Sequence, residues 1–320
     1  MKNVENKVCI GKTGLQSSKM GFGAGVVGNA MMYPKMDDHK SEELLYSALS
    51  HDIGMIDTAY LYGMGRSEEL IGEVIRKQGV RDQLILSTKA SSNPQFGEDG
   101  LKVDNSPSAL REAVNDSLKR LKTDYIDIFY LHFPNSSTPL LEAAFTLAQL
   151  KKEGKIRAVG ASNLSFEKLQ EFNKEGYLDV LQAEYSLLVR TVEKDIIPYC
   201  LKNNISLIPF FPLASGLLAG AYKEDDVFTD TSRSNNPLFQ KDAFLANLKR
   251  VDQLKEFAKR REVQPAQIAL AWLLTRPSVD VIIPGATRSD QINSNLQALN
   301  IQLTENELYK LDHIFDQNNE

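Results

Sequence analysis

The 320-residue chain is poor in the residues that mark several large protein classes. It has two cysteines, Cys9 and Cys200, too few for a disulfide scaffold or a zinc cluster, and the spacing of its four histidines offers no metal site. It has no excess of basic residues: the net charge is −5, so no cationic surface stands ready for nucleic acid or anionic lipid. It has no run of 18 apolar residues, and its N-terminus, Met1-Lys2-Asn3-Val4-Glu5-Asn6-Lys7, is too polar for a signal peptide. A cytoplasmic protein with no membrane or nucleic-acid partner is expected. With 42% hydrophobic and 25% charged residues the chain matches an ordinary globular protein and can bury a sizeable core.

What the sequence does have is alternation. Short apolar runs at Lys19–Ala24, Met55–Ala59, Leu84–Thr88, Ile126–His132, Ile156–Gly160, Leu181–Tyr185, Ser206–Phe210 and Val281–Pro284 read as strands covered on both faces. Amphipathic stretches follow them at Lys40–His51, Ser67–Lys77, Ser106–Leu121, Leu140–Glu153, Ser165–Lys174, Val192–Lys202, Leu248–Arg261 and Ser289–Leu299. Ser106-Pro107 and Ser165 supply helix-start chemistry. Eight βα units in one chain of this length predict an α/β fold, a single (β/α)8 TIM barrel over residues 1–320. A doubly wound open sheet is the competing arrangement. An N-terminal β-hairpin (Val8–Ile10 with Leu15–Ser17) and two additional helices (Gln264–Thr275 and Thr304–Asp316) complete the expectation, and the irregular stretch Leu213–Gln240 is long enough for a lid.

Gly23-Ala24-Gly25-Val26-Val27-Gly28 matches the G-x-G-x-x-G dinucleotide fingerprint, but the fingerprint needs a helix to open inside it. Here Asn29 to Pro34 reads as a loop, so the glycines are expected over a barrel mouth. Asp57, Lys89 and His132 each close a strand candidate, and Tyr62 lies five residues past Asp57. Ionisable groups at the ends of buried strands cost desolvation unless paired, and barrel strand ends converge on one mouth. A tyrosine is a weak acid, and a nearby lysine should lower its pKa while a carboxylate keeps the lysine charged. With a neutral histidine to hydrogen-bond a carbonyl oxygen, the four suit protonation of an alkoxide.

Asp57-Thr58-Ala59-Tyr60-Leu61-Tyr62-Gly63, with Lys89 and His132 after the next two strands, resembles the aldo-keto reductase superfamily over nearly the whole chain. The resemblance implies an NADP(H)-dependent barrel enzyme that interconverts a carbonyl and an alcohol, with catalytic Asp57, Tyr62, Lys89 and His132. It implies that Ser162, Asn163 and Gln182 hold the nicotinamide carboxamide, that Phe210 stacks on the ring, and that Phe211, Pro212, Leu213, Ser215, Gly216 and Leu218 belong to the pyrophosphate strap. It also implies that Pro284, Gly285, Ala286, Thr287, Arg288, Gln291 and Asn295 form the adenosine-phosphate segment. The detail around Phe210-Phe211-Pro212-Leu213 is most similar to the bacterial inositol-utilisation-type branch.

Gly285-Ala286, Gln291 and Ser294 depart from the lysine-serine, arginine and glutamate frequent in relatives, which leaves Arg288 as the cation for a 2′-phosphate and makes NAD(H) tolerance an expectation too. A cofactor-binding subunit without catalysis is the alternative from another class. Specificity is expected in the loops Gly25–Met36, Ser91–Asn105, Phe133–Thr138 and Leu213–Gln240. Tyr33, Phe96 and Phe133 suit small aldehydes, with sugars and polyols open. Trp272 reads as core and Cys200 as a packed thiol.

Overall fold

The computed structural model describes residues 7–51, 53–97, 100–135, 137–228 and 231–316, so the polar N-terminal residues 1–6 lie outside the described residues. The chain opens with β1 (Lys7–Cys9) and β2 (Gln16–Ser18), paired antiparallel. Then come β3 (Phe22–Gly23), α1 (Asp38–Ser50), β4 (Met55–Asp57), α2 (Arg66–Gln78) and β5 (Ile85–Ala90). β6 (Ser92–Gly97) and β7 (Gly100–Asp104) precede α3 (Pro107–Leu121), β8 (Ile126–Leu131), α4 (Leu140–Lys152), β9 (Ile156–Ser162) and α5 (Phe166–Phe172). β10 (Val180–Glu184), α6 (Ile196–Asn203), β11 (Ser206–Phe210), α7 (Thr231–Ser234), α8 (Lys241–Arg260), α9 (Pro265–Leu273), α10 (Ser289–Leu296) and α11 (Glu305–Ile314) finish it.

Seven strands form one parallel sheet in the order β11-β10-β9-β8-β5-β4-β3. The predicted eighth strand, Val281–Pro284, is not a ladder strand. This stretch meets the chain at and just before β3 through the isolated bridges Met20↔Ile282 and Gly23↔Gly285, and β11 is joined from the other side by Leu207 N donating to Ser278 O at 2.7 Å. The sheet thus curls until its two edges share one segment. Gly23 permits the approach, because a Cβ there would lie 2.6 Å from Ile283 O. Gly23 therefore serves close packing, and α1 begins only at Asp38, after an Asp37 side-chain cap.

Side chains alternate with period two along each strand. One set points into the curled sheet: Met55, Ile85, Ile128, Tyr130, Val180 and Ile208 pack together there with Ile10 from the N-terminal hairpin. The other set, including Ile56, Leu86, Phe129, Val159 and Leu207, packs against helix residues such as Leu45, Ile71, Leu110, Leu147 and Leu169. Asp127 ties β5, β8 and β9 on the outer side, accepting from Leu86 N at 2.9 Å, Arg81 at 2.8 Å and Arg157 at 3.0 Å.

Two segments depart further from the sequence reading. Ser91–Asn105 is largely the β6–β7 hairpin, in which exposed Lys102 and buried Val103 alternate. α8 begins seven residues before Leu248, because Phe244 joins an edge-to-face aromatic group with Tyr222, Phe228 and Phe239. That group also anchors the stretch after Leu213, which carries short helical turns at Ala214–Ala219 and Pro237–Phe239 as well as α7. Trp272 is core, with its indole N–H on Asp312 Oδ1 at 2.9 Å. Cys200 is buried, which pushes its thiol up to about 12. Among the described residues no helix is long and apolar enough to cross a membrane, and no group of three or more candidate metal ligands forms.

Candidate active site

The strand ends of β4, β5 and β8 bring ionisable groups together on the inner face. Strand register sets Asp57 beside Ser87, and Lys89 beside Tyr130. Period two then aligns Ser87 below Lys89 and Tyr130 below His132. Lys89 Nζ donates to Asp57 Oδ2 at 2.7 Å and to Thr58 O at 2.7 Å, and both charged side chains are almost wholly buried. The second carboxylate oxygen of Asp57 accepts from Ser87 Oγ at 2.5 Å and from Gln182 Nε2 at 2.8 Å. The carboxylate thus accepts from three side chains, one of them cationic, which is what makes a buried charge tolerable.

Lys89 stands between two phenol rings, with Nζ 5.3 Å from the Tyr62 centroid and 5.7 Å from that of Tyr130. Gly160 is a consequence of the lower ring: a Cβ at that position would lie 2.2 Å from Tyr130 Cδ1. His132 faces Tyr62 edge-on, at 6.4 Å between ring centroids, and stacks on Phe133 at 4.3 Å. Its Nδ1 lies 3.0 Å from Ser91 Oγ.

The electrostatics follow from this burial. Burial pushes the Tyr62 phenol above its ordinary value; Lys89 pulls it down, and Asp57 adds to the rise. Lys89 lowers the Tyr62 pKa, as its charge predicts, but desolvation outweighs the cation, so Tyr62 rests as a protonated phenol. Burial opposes the Lys89 charge, yet Asp57 and Tyr62 together hold its pKa above the ordinary value. His132 is pushed well below its usual value by burial and then by Lys89, so its ring is neutral.

The expected cofactor residues lie around the same mouth. Ser162 ends β9 and Asn163 follows in the left-handed conformation at φ 58°, with Asn163 Nδ2 donating to His132 O at 2.9 Å and to Ser162 Oγ at 3.1 Å. Phe210 ends β11, and Phe211, half exposed, meets it edge-on at 5.4 Å. Pro212 and Leu213 lead into a turn in which Ala214, Ser215 and Gly216 all have positive φ. Leu218 lies in the same turn. Its side chain is fully buried in the outer core and its N–H donates to Leu213 O at 3.3 Å, so it supports the turn from behind.

Pro284 O accepts from Gly23 N at 3.2 Å, Gly285 bridges to Gly23, and Ala286 is buried. Gln291 Oε1 accepts from Thr287 N at 2.8 Å and from Arg288 N at 3.3 Å, capping α10, while Asn295 is buried on that helix. Arg288 is exposed, and its guanidinium lies across the Asp290 carboxylate with two contacts of 3.0 Å.

Residues 19–316 match the family model described as "Aldo/keto reductase family". The chain belongs to the aldo/keto reductase family. It is 36% identical over 287 residues to the aldo-keto reductase YhdN of Bacillus subtilis, covering 89% of this chain and 86% of that protein. It is 34% identical over 311 residues to the NADH-specific methylglyoxal reductase of Escherichia coli, covering 93% of this chain and 95% of that protein. Among solved structures it is similar to the glycerol dehydrogenase AKR11B4 of Gluconobacter oxydans, with a TM-score of 0.87 and 32% identity over 98% of this chain and 95% of that chain. As a family member this aldo/keto reductase is an NAD(P)H-dependent oxidoreductase of carbonyl and alcohol groups, with an α/β barrel architecture and small-molecule carbonyl substrates.

Sequence reasoning found the four ionisable residues by their places at strand ends. It missed Ser87, Ser91, Tyr130 and Gly160. The period-two rule carried a signal for two of these, since Ser87 and Tyr130 stand two residues before Lys89 and His132 on the inward set.

Proposed function

We propose that this enzyme interconverts an aldehyde or ketone and an alcohol with Tyr62 as the proton donor and acceptor. The observation that carries the reading is Lys89, fixed by Asp57 and the Thr58 carbonyl, with its ammonium 5.3 Å from the Tyr62 ring. Tyr62 holds the proton in the resting state because burial raises its pKa. As charge develops on a reducing carbonyl oxygen, the Lys89 ammonium stabilises the phenolate that Tyr62 becomes on giving up that proton. Neutral His132 orients the carbonyl oxygen. In the reverse direction the same residues take the proton from an alcohol.

The residues at the mouth fit a nicotinamide dinucleotide by their chemistry. Ser162 Oγ accepts from Asn163, so its own hydrogen is available, and Gln182 keeps an amide hydrogen and its oxygen beyond the bond to Asp57. These groups suit both ends of a carboxamide, and Phe210 offers a ring for stacking. Bound there, the cofactor supplies or accepts the hydride. Ser215 and Gly216 would support its pyrophosphate, and the segment Pro284–Asn295 its adenosine end. We assign NADP(H) as cofactor with NAD(H) tolerated. Arg288 supports the first, as the sole full cation in that segment, and its pairing with Asp290 supports the second. We also propose one barrel unit over residues 1–320, a place near the inositol-utilisation-type branch from the Phe210-Phe211-Pro212-Leu213 run, and a cytoplasmic location.

A screen of aldehydes, ketones and polyols with both cofactors in both directions tests the reading. Carbonyl-dependent oxidation of NADPH is the expected result. A folded chain that binds dinucleotide yet turns over none of these substrates overturns it.

A further inference from the structure

His132 can serve a carbonyl oxygen only if the nitrogen facing that oxygen carries hydrogen, and a neutral imidazole has one hydrogen for two nitrogens. Its Nδ1 lies 3.0 Å from the hydroxyl of Ser91. Ser91 comes directly after β5, two residues beyond Lys89, and is buried. Two arrangements satisfy the contact. In one, Nδ1–H donates to Ser91, Nε2 is bare, and the Ser91 proton needs another acceptor. In the other, Ser91 donates to Nδ1 and the ring hydrogen sits on Nε2. Among the described residues Ser91 Oγ has His132 as its one hydrogen-bond partner. The first arrangement therefore leaves the buried Ser91 hydroxyl hydrogen without an acceptor among the described residues, whereas the second places it on Nδ1 and keeps the Nε2 hydrogen for a ligand.

The ring is also held against turning over. It stacks on Phe133 with an interplanar angle of 29°, and it stands at 89° to Tyr62. The His132 carbonyl accepts from Asn163, and the Phe133 carbonyl accepts from Asn105 Nδ2 at 2.8 Å. The exchange of nitrogens by a ring flip is thus opposed from both sides.

We propose that Ser91 is a positioning residue that fixes His132 as the Nε2–H tautomer, leaving that hydrogen for the substrate oxygen. The claim rests on the role given to His132 above. Ser91 acts only through His132. It also lines a side pocket of about 160 Å³ with Tyr60, Glu112, Asp116 and Arg120. Ser91→Thr keeps the hydroxyl and is the conservative replacement; Ser91→Ala removes it and is the disruptive one.

The test combines ¹⁵N NMR of histidine-labelled protein with steady-state kinetics, the His132 signals being assigned by their loss in His132→Gln. The wild-type ring is expected to show a protonated Nε2 and a bare Nδ1. In Ser91→Ala the tautomers should mix, and kcat for carbonyl reduction should fall about tenfold, the rate equivalent of one neutral hydrogen bond, with the cofactor KM unchanged. Ser91→Thr should restore both. A protonated Nδ1 in the wild type overturns the proposal. So does wild-type kcat in Ser91→Ala, or a threonine variant as slow as the alanine one. If the wild type reduces no carbonyl at all, the reading of His132 fails instead, and the NMR result still decides what Ser91 does to the ring.

Discussion

Asp57 and Lys89 form an ion pair of 2.7 Å with almost no solvent contact, and each holds the other in a site that neither could occupy charged alone. Ser87, Gln182 and the Thr58 carbonyl complete the shell around the pair. Those partners come from β5, from β10 and from the residue after β4, so the pair fastens opposite parts of the curled sheet. Catalytic electrostatics and fold stability therefore share the same atoms.

Removing the lysine should expose both functions. Lys89→Met leaves Asp57 buried without its cation, a change worth about 3–5 kcal/mol of stability. Lys89 also pulls the Tyr62 pKa down, so its loss lets that pKa climb further. Chemical denaturation should show the stability loss. In the alcohol-oxidising direction, the pH at which activity rises should move upward. An unchanged pH–rate profile with residual activity would refute the coupling of Lys89 to Tyr62.

Tyr62→Phe removes one hydroxyl and keeps the ring beside Lys89. Cofactor affinity should stay within about twofold, while carbonyl reduction should fall by about 10²-fold or more, the scale of general acid catalysis. Near-normal turnover with the best aldehyde would assign the proton to another group.

His132 makes stability depend on pH. Its folded pKa is depressed, so below about pH 6.5, the ordinary histidine value, the unfolded state binds the proton and the folded state does not. Stability contributed by this group is present above that pH. It is lost as pH falls, by up to about 1.4 kcal/mol per pH unit until the folded pKa is reached. Urea melts of wild type and His132→Gln between pH 5 and 7 should differ in slope by that amount. Parallel slopes would mean the ring is hydrated in solution.

Gly160→Ala should be far costlier than a surface substitution. The added Cβ would sit 2.2 Å from the Tyr130 ring, on the inner face where little can move. Overpacking of this kind costs about 1–3 kcal/mol. Pairing it with Tyr130→Leu should recover part of the loss, whereas the two single changes in unrelated sites would add. Thermal melts of the two singles and the double measure the coupling.

These residues show where sequence reading stops. Asp57, Lys89 and His132 stand out because an ionisable group after an apolar strand is conspicuous on its own. Ser91 and Ser87 do not, since a serine beside a strand end is ordinary until its partner is known, and the His132 partner of Ser91 lies 41 residues away. The β6–β7 hairpin is hidden for a different reason: Pro94, Gly97 and Gly100 read locally as loop, and pairing across the turn overrides them. Resemblance identifies the strap from Phe211 to Leu218 as a whole, and burial then distinguishes half-exposed Phe211 from buried Leu218 within it.

Arg288 and Asp290 should set the balance between the two cofactors. The 2′-phosphate is the sole chemical difference between NADPH and NADH. A site that prefers NADPH must offer charge to it, and Arg288 supplies the one full cation between Pro284 and Asn295. Asp290 already occupies that guanidinium through two contacts of 3.0 Å. A phosphate must therefore displace or share the guanidinium with a carboxylate that repels it. Both side chains are well exposed, so the pair itself is weak and a doubly charged phosphate can compete for the guanidinium. Arg288→Ala should weaken NADPH binding about tenfold or more and leave NADH nearly unchanged, in line with the loss of a charge-assisted contact. Asp290→Asn should act in the opposite direction, tightening NADPH several-fold by freeing the guanidinium and removing the repulsion. Cofactor titrations followed by intrinsic fluorescence read both variants without turnover. Equal losses for both cofactors in Arg288→Ala would show that this arginine serves the loop. No change for NADPH would place the phosphate elsewhere. If Arg288→Ala behaves as expected while Asp290→Asn leaves the ratio of affinities at its wild-type value, Asp290 has already swung clear when the dinucleotide binds.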